Sequence, residues 1–104
     1  MTFTDVTMVR IYLTEGDRLL NTLLQRLHDD EQVLGVTVFR GTTGFGASGK
    51  VHGQSLVDLA FDLPLVVEFF DRPERVSAVL ERQADVLPAG HVVQWPAAVN
   101  TDSS

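Results

Sequence analysis

Two apolar stripes at helical period, each set between apolar runs of strand length, constrain this chain more than any other feature. Leu19, Leu20, Leu23, Leu24 and Leu27 fall at i, i+1, i+4, i+5 and i+8, and Val76, Val79, Leu80, Gln83 and Leu87 keep the same period. Such a stripe buries one side of a helix and leaves the other in water. Four runs rich in β-branched and apolar residues read as strands: Val6 to Leu13, Val36 to Arg40, Leu65 to Phe70 and Val92 to Trp95. The order is β-α-β-loop-β-α-β. Both stripes are buried together if the two helices lie on one face of a four-stranded antiparallel sheet. That is an α+β, ferredoxin-like βαββαβ fold, with the first and third strands as the central pair. The first helix is expected from about Asp17 to Asp30, capped by Thr14 or Asp17. Asp29, Asp30 and Glu31 oppose the helix dipole at its end, so fraying is expected there. Pro73 opens the second helix, and Pro88 and Gly90 end it.

A chain of 104 residues holds one domain, placed here at residues 1–96, with the small, polar stretch 97–104 expected to be a disordered tail. The net charge of −6 argues against a nucleic-acid partner, which needs a basic field. The absence of cysteine excludes a disulfide scaffold, thiolate zinc and a cysteine nucleophile, and it fits a reducing compartment. No signal peptide is visible in Met1 to Asp5, and no apolar run reaches the roughly 20 residues of a membrane span. A cytoplasmic protein, not embedded in a membrane, is expected.

Helices on one face imply that the opposite face reads polar if it meets water. On the central strands that face carries Val6, Met8, Tyr12, Val66 and Phe70 around Arg10 and Glu68. A patch of this kind marks a contact, and a second copy of the chain is the expected partner, with Arg10 and Glu68 satisfying one another.

Gly41 to Ser55 holds five of the eight glycines. Gly44-Phe45-Gly46-Ala47-Ser48-Gly49 matches GxGxxG literally, but a dinucleotide fold needs a long helix straight after the motif and a larger parallel sheet. The element order here is different. Glycines still let backbone N–H groups approach a ligand closely and form an anion-binding nest. Arg40 precedes the loop, and Lys50 and His52 stand near its far end, so cations bracket it. A plain hairpin connection with incidental charges accounts equally well for the composition. Leu56, Leu59, Ala60 and Leu63 have the spacing of a short helical turn, stopped by Pro64.

Gly35-Val36-Thr37-Val38-Phe39-Arg40-Gly41, running on through Gly44-Phe45-Gly46-Ala47-Ser48-Gly49-Lys50-Val51-His52, resembles the uncharacterised PII-like family known as domain of unknown function 190. Arg10-Ile11-Tyr12, Asp62-Leu63-Pro64 and Val66-Val67-Glu68 fit the same family, and the resemblance covers Val6 to Trp95. More distantly, the chain is similar to PII signalling proteins. The resemblance implies a ferredoxin-like homotrimer that holds an adenine nucleotide or other anion in clefts between subunits. It also implies a loop that is repositioned to engage a transporter, channel, enzyme or other regulated protein. Gly44, Phe45 and Gly46 would form the loop base beside the ligand, with Arg40, Gly41, Lys50 and His52 around it. Gly90-His91 resembles the Gly-Lys with which PII proteins contact phosphate, with histidine in place of lysine. The chain departs from the PII pattern in having no arginine after Trp95 and no tyrosine in the loop.

Two other function classes find less support in the sequence. His28, His52 and His91 are the acid–base candidates of an enzyme, but there is no His-Glu-x-x-His, no nucleophile elbow and no acid pair. The same histidines, with carboxylates, would have to serve a metal-binding or metal-tolerance protein, and they do not stand at ligand spacing. No catalytic residue, metal ligand or resident cofactor is therefore assigned, beyond a regulatory nucleotide. Phe45 is read either as loop packing or as an anchor for a partner, and Trp95 as core or interface.

Overall fold

The computed structural model describes residues 1–14, 18–45, 51–53 and 63–103. In β1 (Phe3–Thr14), Val9, Ile11 and Leu13 are buried, while Met8, Arg10 and Tyr12 between them are not. A helix, α1 (Leu20–Gln25), continues in wider π-type turns over Arg26–Glu31. Next come β2 (Gly35–Arg40), the short strands β3 (Thr43–Phe45) and β4 (Val51–Gly53), and β5 (Pro64–Asp71). The second helix, α2 (Pro73–Arg82), starts on the proline and gives way to a 3-10 turn, Ala84–Val86, before β6 (Val92–Asn100).

The main sheet has the order β2-β5-β1-β6 and is antiparallel throughout, and β3 and β4 pair separately. As expected, the first and third long strands are central. Leu23 of α1, Leu27 of the π-type turns and Val76 and Val79 of α2 pack on Val9, Ile11, Leu13, Leu65, Val67 and Phe69. Burying each such side chain contributes about 1.5–3 kcal/mol before chain entropy is counted. The βαββαβ arrangement is therefore present, with both helices on one face.

Several boundaries differ from the sequence reading, each for a tertiary reason. Helix α1 begins at Leu20 with Leu19 at its N-cap and no side-chain cap, and Asp17 lies outside the described residues. Residues 97–100 are strand rather than disordered tail, because Ala97 to Asn100 pair with Val6 to Phe3. The partner supplies the ladder that Pro96-Ala97-Ala98 gives no local sign of. Val6, expected on the exposed face, is buried. The helical turn expected from Leu56 falls outside the described residues except for Leu63, which is buried.

The end of α1 does not fray. Glu31 is only 4% exposed, and its carboxylate accepts hydrogen bonds from Arg82 Nη2 at 2.5 Å and Gln83 Nε2 at 2.7 Å. Arg75 of α2 donates to the Glu31 carbonyl as well. The helix then closes with Gln32 at φ 53, its N–H bonded to the Leu27 carbonyl. The Arg82 hydrogen bond, aided by Gln83 and by the charge of Arg75, holds the Glu31 carboxyl below the usual glutamate range against the opposing effect of burial.

Removing this buried anchor in Glu31→Ala is expected to cost on the order of 3 kcal/mol at neutral pH, read as a lower urea midpoint. Because the native pKa is depressed, the charge-dependent stabilisation is complete above the ordinary value of 4.5 and is lost as pH falls through the native pKa. The advantage of the native protein over Glu31→Gln should shrink as the pH is lowered past that value. A gap that stays constant to full protonation would count against the account.

Candidate functional site

Arg40 pairs with Leu65 at the end of β2, and the ladder then takes one more step, with the Gly41 N–H donating to the Pro64 carbonyl at 2.7 Å. A Cβ on Gly41 would stand 2.7 Å from Pro64 Cγ, so only glycine fits this neck. Beyond it, β3 and β4 form a two-stranded ribbon in which Gly44 lies opposite His52 and Phe45 opposite Val51. What is described of the expected glycine-rich loop is thus this ribbon, standing on the Gly41–Pro64 neck. Gly46 and Lys50 lie outside the described residues.

A cleft of about 400 Å³ opens beside the neck, lined among the described residues by Arg18, Leu20 and Asn21 at the start of α1 and by Leu65. Directly paired residues have Cβ atoms about 5 Å apart, so the Arg40 stem starts next to the Leu65 that lines the cleft. Arg18 adopts φ 57, an uncommon conformation for a side chain of its size. The sequence reading missed Arg18, since a lone arginine before a helix carries no signal of its own.

Gly90 and His91 lie at the same end of the sheet but at its other edge. Gly90 has φ 83, which favours glycine, and the next residue begins the approach to β6. The Tyr12 N–H donates to the His91 carbonyl at 2.9 Å, and His91 Nδ1 lies 2.7 Å from the Tyr12 carbonyl oxygen. A carbonyl only accepts, so Nδ1 carries the hydrogen. The outer nitrogen, Nε2, is then an acceptor in the neutral ring and a second donor in the protonated one. With β5 and β1 between them, β2 and β6 are three strand spacings apart, roughly 14 Å. The fold of a single chain therefore does not bring Arg40 and His91 together.

The sheet face away from the helices is apolar across all four strands. Phe39 is 47% exposed and Trp95 37% exposed, flanking Tyr12, Val66 and Phe70. At its centre Arg10 Nε donates to Glu68 Oε2 at 2.7 Å, and the guanidinium sits 5.5 Å from the centre of the Trp95 ring. The Glu68 hydrogen bond raises the Arg10 pKa above its already high ordinary value. Among the described residues no three histidine or acidic side chains converge as a metal site, and no helix is long and apolar enough to cross a membrane. His28 is exposed, and its partner among the described residues is Asp29.

A family model for uncharacterised proteins, DUF190 (Uncharacterized ACR), matches residues 6–99. A UPF0166 protein of Methanocaldococcus jannaschii is 30% identical over 84 residues, covering 77% of each chain. One from Aquifex aeolicus is 34% identical over 67 residues, covering 64% of this chain and 63% of its own. Among solved structures, the nitrogen regulatory PII-like protein CPII of Thiomonas intermedia, bound to ADP, AMP and bicarbonate, superposes with a TM-score of 0.68 at 20% identity, covering 94% of this chain and 91% of that one. A putative PII-like signaling protein of Thermus thermophilus superposes at 0.64 and 18% identity, covering 95% and 91%. These likenesses establish the PII-like fold.

The neck gives a direct test. Gly41→Ala must displace the Pro64 ring, a stiff group, and is expected to destabilise by about 1–3 kcal/mol. The accompanying change should appear in the backbone amide shifts of residues 43–45 and 51–53. A variant with native stability and an unaltered spectrum would show that the neck is loosely held.

Proposed function

This chain belongs to the DUF190 family, and from that premise we propose that it is a PII-like ligand-responsive regulator rather than an enzyme. The observation that carries the reading is the split of the candidate site. Arg40, Gly41 and the ribbon stand at the β2 edge, and Gly90 and His91 stand at the β6 edge of the same sheet end. A head-to-tail contact that sets the β2 edge of one copy against the β6 edge of the next joins the halves and, repeated by rotation, closes into a ring. The exposed face around Arg10, Glu68 and Trp95 is then the inner surface of a homotrimer.

Arg40 and Arg18 supply positive charge on one side of the shared cleft, the proposal adds Lys50 to them from its place in the sequence, and His91 supplies a hydrogen-bonding ring on the other. An anionic small molecule suits that arrangement, and the ADP and AMP of the solved PII-like neighbour make an adenine nucleotide the first candidate. Gly44, Phe45, Gly46 and His52 form the part of the loop that the ligand would order. An ordered loop differs from a free one in its affinity for a protein partner, such as a transporter, channel or enzyme, and this is how binding becomes a signal.

Light scattering should give a trimer for the native protein and a smaller species for Trp95→Glu. Saturation with AMP, ADP or ATP at about 100 times Kd should add roughly 2.7 kcal/mol, visible as a thermal shift of several degrees. Arg40→Ala and His91→Ala should each abolish the shift. Co-assembled rings containing both variants should recover it, because each mixed ring has one cleft with Arg40 and His91 both intact. Failure of mixed rings to recover would place the two residues in separate sites, and a flat nucleotide panel on intact trimers would remove the nucleotide.

A further inference from the structure

On the opposite side of the molecule from the apolar face, the π-type turns that follow α1 and the length of α2 enclose an open cleft of about 550 Å³. It is lined by Arg26, Asp30, Glu31, Arg75, Arg82 and Gln83. Three of the chain's eight lysines and arginines thus converge at one place on a protein of net charge −6. Anchoring Glu31 does not require all three. Its carboxylate is met by Arg82 and Gln83, while Arg26 reaches Gln83 and Asp85 and Arg75 reaches Asp71 and the Glu31 carbonyl.

The guanidinium groups keep donors in reserve. Arg26 uses Nη1 alone, Arg75 uses Nε and Nη2, and Arg82 uses Nε and Nη2. Each therefore has at least one nitrogen with no partner among the described residues. Arginine presents its donors in a planar fork that matches the oxygens of a phosphate group. Each arginine has one carboxylate partner: Arg82 meets the buried Glu31, Arg75 the buried Asp71 and Arg26 the exposed Asp85. Asp30 is the one acid on the lining that is exposed and without an arginine partner among the described residues. The volume exceeds a bare phosphate and falls in the range of small-molecule sites, roughly 300–1,000 Å³.

We infer that this interhelical cleft is a second anion site, one that takes the phosphate group of a small metabolite on Arg26, Arg75 and Arg82. It is separate from the cleft at the loop end of the sheet and does not depend on it. The occupant bridges α1 to α2 and adds to the grip that Glu31 already provides.

The test uses the full chain with inorganic phosphate and, separately, glucose 6-phosphate, each against chloride at equal ionic strength. Phosphate should raise the melting temperature by a few degrees over chloride and shift the Nε–H resonances of Arg26, Arg75 and Arg82 in a saturable way. Arg26→Gln and Arg75→Gln, which leave the Arg82–Glu31 pair intact, should each weaken binding about tenfold or more. Arg40→Ala and His91→Ala should leave the saturable shifts of the Arg26, Arg75 and Arg82 resonances unchanged. Tighter binding of glucose 6-phosphate than of phosphate would identify a phosphorylated metabolite as the source, and equal affinity would identify free phosphate. Equal responses to phosphate and chloride would overturn the inference, as would phosphate binding that survives in Arg26→Gln and Arg75→Gln.

Discussion

The antiparallel pairing of β1 with β5 runs from Thr7 opposite Asp71 to Thr14 opposite Pro64, and the rest of the structure is arranged around it. Pairing fixes parity. Once Ile11 faces the helices beside Val67, Val9 and Leu13 must follow with Phe69 and Leu65, because a one-residue slip would turn every one of them to the other side. The two leucine- and valine-rich helix stripes then have one surface to cover. Both helices are committed to it, and none is left for the other.

That commitment is what leaves Tyr12, Phe39, Val93 and Trp95 exposed on the far face. The same parity sets Arg10 directly opposite Glu68, in the middle of an otherwise apolar surface. A charge in such a place is tolerable in an interface only if it is already satisfied. Here Glu68 meets it from the neighbouring strand and the Trp95 ring lies alongside. In the proposed homotrimer this is the face that is buried, which would add to the modest core of a small chain.

Sheet order has a second consequence, for the site. The chain leaves β2 at Gly41 and re-enters the sheet at Pro64, and the contact between those two residues is close enough to exclude any side chain at Gly41. The ribbon is therefore anchored at its root, beside Arg40 and the cleft that Arg18 borders. His91 is held at the other edge by paired hydrogen bonds with the Tyr12 backbone. The two half-sites share an end of the molecule but not a surface, so assembly and ligand binding are linked by geometry in the proposed reading.

Much of this was legible in the sequence. The βαββαβ order, the central pair and the composition of the core followed from periods of 3.6 and 2, which are local properties of the chain. Arg10 and Glu68 were matched on parity alone, and the glycine cluster marked where the sheet is interrupted. What the sequence could not disclose depended on residues far apart in the chain. Residues 97–100 become strand only because Phe3 to Val6 lie beside them, and Glu31 reverses the expected fraying only because Arg82 and Gln83 come from another helix. The Tyr12 carbonyl that fixes the His91 ring and the Pro64 ring that stands against Gly41 are likewise contacts between residues far apart in the chain. Local periodicity determined which face each element buries, and only tertiary packing decided which polar groups meet, because a hydrogen bond between distant segments is fixed by register and not by sequence neighbours.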